Sequence, residues 1–158
     1  MQFFANITIS ELSVTFAGRS VVMNRDIVES MVSMAMDAIK NAYSERYNFP
    51  VGACVLSSDG AMYSGVTIDN ANPQLCCAAE ALALYKAIAD GKREFDAVAV
   101  IADTEKPYVP SGMSLELMSE FNVPELIMAN MNGDVEETTL EEFFPSGAKL
   151  RENKRFKL

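Results

Sequence analysis

The chain has 158 residues, 49% hydrophobic and 22% charged, which suits one soluble globular domain with a sizeable core. A formal net charge of -9 argues against unaided binding to nucleic acid or an anionic membrane, since both reward clustered Lys and Arg. No histidine is present, which removes the commonest general base and the commonest zinc ligand, and three cysteines make no disulfide framework. With neither a signal-peptide pattern nor an apolar run of transmembrane length, the expected compartment is the cytoplasm.

Residues 1–23 carry a period-2 pattern (Ile7 and Ile9, then Leu12, Val14 and Phe16), broken at Gly18. They read as one or two short strands forming an N-terminal extension. Asn24 is placed to cap a helix whose apolar residues Ile27, Met31, Met34, Ala35, Ala38 and Ile39 recur at helical spacing. After an irregular stretch from Tyr43 to Pro50, Val51–Leu56 and Met62–Thr67 pair as a hairpin around Ser57-Ser58-Asp59-Gly60. A loop rich in Asn and Pro leads to a helix from about Cys76 to Asp90, stopped by Gly91.

Ala97–Ala102 is a continuous apolar run and reads as a central buried strand. Gly112–Phe121 is the next helix, and Leu126–Ala129 a strand. Asn132-Gly133 makes a tight turn into a short strand from Val135, and Thr139–Phe144 a short acidic helix. Strands alternating with helices predict an α/β fold whose mixed sheet is parallel in its later part, with an antiparallel hairpin at one side. Residues 24–150 then form the domain, and 151–158 a basic tail.

Two stretches draw the chemistry together: Gly65–Gly91 and Pro107–Phe121. Each is a loop turning into a helix with small or polar residues at its start. Two helix N-termini meeting at one point would form an electropositive pocket.

In these stretches the sequence resembles the small homo-oligomeric cytidine deaminase family. NFPVGA (48–53) is similar to the family's pyrimidine-stacking strand, and GVTIDNAN (65–72) to its ribose-binding G-x-N-V-E-N-A segment. AAEALAL (78–84) resembles its C-A-E-R-T-A-I helix start. PYVPSGMSLELMSEF (107–121) resembles P-C-x-P-C-G-x-C-R-Q-x-x-x-E-F, and TTLEEFFPSGA (138–148) the family's ending. Five segments in order imply a three-layer fold, a five-stranded mixed sheet with helices on both faces, and assembly as a homodimer or homotetramer.

The resemblance also implies a zinc ion held by three Cys or His ligands, an activated water, and a glutamate that shuttles protons. The ligand positions are Ala78, Ser111 and Ser114 here. Alanine has no donor atom and a neutral hydroxyl is a poor zinc ligand, so zinc is expected for the family but not for this sequence. The arginine that follows the family's glutamate is Ala81, while the glutamate itself is retained as Glu80. Zinc lowers the pKa of bound water from about 15.7 to about 7. At about 1.36 kcal/mol per unit, its loss removes on the order of 10 kcal/mol of hydroxide stabilisation, which a carboxylate cannot replace.

By the same resemblance, Phe49 takes the stacking position, and Thr67 and Asp69 replace the ribose-binding Asn and Glu. Ala79 offers its backbone to a base amino group.

Simpler roles stand beside each of these. Glu80 suits a first helical turn, Asp69 a turn cap, Thr67 a strand, and Ser111 and Ser114 an N-cap. Cys54 reads as a core thiol. Cys76 and Cys77 as small buried thiols compete with Cys77 as a nucleophile activated by its helix dipole. Glu136, Glu137, Glu141 and Glu142 read as a solvated face, and the ten methionines as adaptable filler.

Three functions follow as expectations. The first is a zinc-free deaminase-like protein, without cofactor, that binds a nucleoside or related small ligand. The second is an active hydrolytic deaminase, or a different reaction using Glu80 with Cys77 or the serines. The third is a non-catalytic subunit of a deaminase-like assembly.

Overall fold

The computed structural model describes residues 15–16, 19–20 and 23–147. Of the expected N-terminal strands, β1 (Thr15–Phe16) and β2 (Arg19–Ser20) form a two-residue antiparallel ladder. The positions of Ile7, Ile9, Leu12 and Val14 lie outside the described residues, as does the basic tail 151–158.

Helix α1 (Arg25–Ile39) starts where Asn24 accepts the Asp26 N–H at 3.1 Å, so the expected cap is made. The hairpin strands β3 (Val51–Ser57) and β4 (Met62–Val66) turn through Gly60 at φ 89°, a left-handed value that suits glycine. Helix α2 (Ala79–Ala89) ends at Gly91, φ 88°. Strand β5 (Phe95–Ala102), helix α3 (Gly112–Glu120), strands β6 (Glu125–Asn130) and β7 (Val135–Thr139) and helix α4 (Leu140–Phe143) complete the chain.

The five-stranded mixed sheet has the order β4-β3-β5-β6-β7. Only β5 and β6 pair in parallel; β6 and β7 are antiparallel. The expected mixed sheet is thus parallel in its later part where β5 meets β6, and its last strand closes as a hairpin. The cause is the tight turn with Gly133 at φ 93°, which returns β7 directly beside β6 and leaves no room for a crossover.

Period-2 alternation along β5 divides the core. Ala97, Ala99 and Ile101 face Met31, Val32 and Ala35 of α1. Val98, Val100 and Ala102 face the other way, toward Ala83, Leu84 and Ala87 of α2 and Leu115 and Met118 of α3. Helices on both faces make the three-layer arrangement. Among the described residues no helix is long and apolar enough to cross a membrane. At the outer strand β7, Glu136 and Glu137 are both exposed. Burial raises the carboxyl pKa of Glu137, and also that of Glu125 on β6, where Glu137 and Glu142 add like charge.

Two glycines seat the helices on the hairpin. A Cβ on Gly52 would collide with the Ala35 carbonyl of α1. One on Gly65 would stand 2.5 Å from the Ala83 nitrogen of α2, and closer still to the Ala79 carbonyl oxygen. The first turn of α2 is thus pressed against bare backbone, which fixes where that helix begins.

Gly65→Ala is therefore expected to destabilise the chain by about 1–3 kcal/mol through overpacking. Urea unfolding checks it, and an unchanged midpoint would show that α2 is free to shift.

Candidate active site

Helix α2 begins one residue after Ala78, its N-cap, which makes no side-chain capping bond. This corrects the expected start at Cys76. Pro73–Leu75 forms a separate 3-10 turn, and Cys77 pairs with Ile68 through backbone bonds of 2.8 and 3.0 Å, so both cysteines sit on extended chain ahead of the helix. Cys76 Sγ accepts the Asn70 N–H at 3.2 Å. The thiol of Cys77 is half-buried, and burial together with the nearby charge of Glu80 raises its pKa. Both effects oppose a thiolate, the reverse of the activation expected from a helix dipole. Cys54 is fully buried, and desolvation pushes its thiol up to about 12.

Glu80, in the first turn of α2, is only 1% exposed. One of its oxygens, Oε1, is buried and has no hydrogen-bond partner among the described residues. Burial raises its pKa, partly offset by its own backbone N–H and by the hydroxyl of Ser114. Ser114 lies in the first turn of α3, so the two helix starts meet at this carboxyl as the sequence expects.

Ser111 caps α3 by accepting the Ser114 N–H at 3.3 Å, and the two serine hydroxyl oxygens are 3.2 Å apart. A hydroxyl carries one proton, so if Ser114 donates to Glu80, Ser111 is the donor in the serine pair. Capping accounts for Ser111; Ser114 is an interior residue whose hydroxyl serves Glu80.

The other expected residues lie along one rim. Asp69 is 3% exposed, and its Oδ2 accepts the backbone N–H groups of Arg46 at 2.9 Å and Tyr47 at 3.0 Å. That bond set holds the turn leading to Asn48, at φ 47°, and on to Phe49, whose N–H is held by Ser44 Oγ at 2.9 Å. Thr67 Oγ1 accepts the Val51 N–H at 3.0 Å. Asp69 and Thr67 therefore act here on the chain that carries Phe49. The Ala79 carbonyl lies against Gly65, on the sheet side of α2.

Tyr108 was not singled out from sequence. Its ring centroid is 5.8 Å from that of Phe49, tilted 49°. Burial and the charge of Glu80 raise its phenol to about 12. The Tyr108 N–H donates to the Ala129 carbonyl at 3.0 Å, and the buried Asn130 holds the same loop through the Glu105 carbonyl at 3.1 Å. Its place inside PYVPSGMS, three residues before Ser111, was the available signal.

The donor set does not fit a zinc ion. Ala78 contributes a methyl group, and Ser111 and Ser114 contribute neutral hydroxyls already engaged with each other. Among the described residues no group of three His, Cys, Asp or Glu side chains is placed to hold a metal. What the arrangement offers chemically is a buried carboxyl, two hydroxyls and an aromatic pair.

The site is thus a buried glutamate at which two helix starts converge in a three-layer α/β domain. A family model for the cytidine and deoxycytidylate deaminase zinc-binding region matches residues 25–130. The chain belongs to the cytidine deaminase family. It is 39% identical to a cytidine deaminase of Sporosarcina psychrophila over 129 residues, 80% of this chain and 93% of that relative. It is 28% identical to a blasticidin-S deaminase of Bacillus cereus over 123 residues, 73% and 87% of the two chains. The crystal structure of a cytidine deaminase from Burkholderia pseudomallei superposes with a TM-score of 0.74 at 35% identity, covering 80% of this chain and all 100% of that one.

Because burial raises the pKa of Glu80, the folded state holds its proton more firmly than the unfolded state. The folded state is then penalised as pH rises from the ordinary carboxylate range toward the raised value. Glu80→Gln should therefore melt higher than the unaltered chain at about pH 8, with the gap closing toward about pH 4. For a chain of this size each kcal/mol is worth about 2–4 °C. Calorimetric melting across that range checks it; a gap that widens in acid would contradict the burial argument.

Proposed function

We propose that this chain is a zinc-free member of its family that binds a nucleoside or a related small polar ligand and no longer performs hydrolytic deamination. The observation that carries the reading is the set Ala78, Ser111 and Ser114 around a retained, buried Glu80. Without a Lewis acid, Glu80 is too weak a base to make hydroxide from water, while its hydrogen-bonding capacity is intact. Phe49 supplies a stacking surface against Tyr108, on a turn held by Asp69 and joined to β4 through Thr67. Residues 24–150 form the working domain. The protein works as a homodimer or homotetramer in the cytoplasm, with residues 1–23 as an added segment.

A second reading, an active deaminase, is favoured by the retained Glu80 and by relatives that are named cytidine deaminase and blasticidin-S deaminase. Elemental analysis of the purified chain, with an ultraviolet assay of cytidine turnover, separates the two. The expected result is zinc far below one ion per chain and no turnover. Ala78→Cys, Ser111→Cys and Ser114→Cys combined with Ala81→Arg should then bring zinc to about one per chain. Stoichiometric zinc or cytidine turnover in the unaltered chain would overturn the proposal.

A further inference from the structure

The last strand of the sheet has a partner on one side only. Among the described residues β7 pairs with β6, and no strand lies beyond it. The Asn130 N–H donates to the Asp134 carbonyl at 3.1 Å, and the Leu140 N–H to the Pro124 carbonyl at 2.9 Å. Bonded positions alternate along an antiparallel pair, so Glu136 and Thr138 also turn their backbone groups toward β6. Val135 and Glu137 then point their N–H and C=O groups outward, as a template for one more strand. The opposite margin is treated differently: there Lys86 Nζ donates to the Ser64 carbonyl of β4 at 2.5 Å.

The side chains select what this template accepts. By register Glu137 lies opposite Ile127, on the α1 side of the sheet, which it shares with Glu125. Glu136 lies opposite Met128 on the other side, where α4 carries Glu141, Glu142 and the exposed Phe143. A second copy of β7 is a poor partner, because the carboxylates of the two strands would meet. An extended segment with basic residues fits.

The sequence supplies such a segment nearby. The chain still packs beside α4 at Gly147, where an added Cβ would stand 2.9 Å from the Phe144 ring. Residues Ala148–Asn153 then give a reach of up to about 20 Å before Lys154-Arg155-Phe156-Lys157-Leu158 begins. That exceeds the length of β7, roughly 17 Å for its 5 residues. In extended form Arg155 and Lys157 share one face, and Phe156 and Leu158 the other. A chain returning from the end of β7 runs antiparallel to it. Arg155 and Lys157 are then matched to Glu137 and Glu125, and Phe156 and Leu158 to the side of Phe143.

We infer that Lys154–Leu158 of the same chain occupies this margin, extending the five-stranded sheet by one antiparallel strand beside β7. The inference is independent of the ligand-binding reading above.

Amide hydrogen exchange of the full chain, read residue by residue by nuclear magnetic resonance, tests this. The N–H groups of Val135 and Glu137 should exchange at least about tenfold more slowly in the unaltered chain than in the double variant Arg155→Glu, Lys157→Glu. Those of Glu136 and Thr138, bonded to β6, should stay slow in both and report that the variant is folded. Adding Glu137→Lys to the double variant should restore slow exchange at Val135. Fast exchange at Val135 and Glu137 in the unaltered chain overturns the inference, and so does failure of that rescue. Protection that survives the charge reversal overturns it as well, since another group then covers the edge. Protection that grows with protein concentration overturns it in favour of a second copy.

Discussion

The site depends on a carboxyl group held in the interior at the point where two helices begin. Glu80 is tolerated there because its position supplies partial positive charge. Its own backbone N–H, the start of α3 and the Ser114 hydroxyl together do part of what a counter-ion would do. The compensation is incomplete, as the partnerless oxygen shows. Such a residue is expensive to keep in a core that is mostly apolar. The rest of the architecture holds it in place: Gly65 presses α2 against β4, Ser111 starts α3, and Asn130 fixes the loop that brings Tyr108 alongside.

The elements legible in the sequence were those set by local rules. Asn24 as a cap, Gly60, Gly91 and Gly133 as left-handed turns, and the apolar run of β5 all behave as their residue types dictate. The start of α2 was misread because Cys76, Cys77 and Ala78 carry no strong signal of their own. Their conformation is set by a long-range bridge from Ile68, which periodicity does not report. The direction of β7, by contrast, follows from a local signal. The Asn132-Gly133 turn sends the chain straight back, so β7 lies antiparallel to β6.

At the site, residue identity spoke clearly where chemistry is all-or-none. A methyl group and two hydroxyls do not act as thiolates, whatever surrounds them. Asp69 and Thr67 were harder, because a short polar side chain serves a ligand or a backbone equally well. Only coordinates show that Asp69 holds the N–H groups of Arg46 and Tyr47, and Thr67 that of Val51. Tyr108 was missed because a tyrosine in a loop reads as surface until a second ring is found against it. Family membership accounts for the layout of these residues and leaves their present use to be decided by the atoms they carry.

The carboxylates along β7 affect how copies of the chain can meet. An outer strand with open backbone groups invites further strands to add on, and negative side chains there repel an incoming copy. Partial burial makes Glu137 and its neighbour Glu125 easier to protonate than free carboxylates. Protonating these two carboxyls would weaken that repulsion before the ordinary surface carboxylates take up their protons.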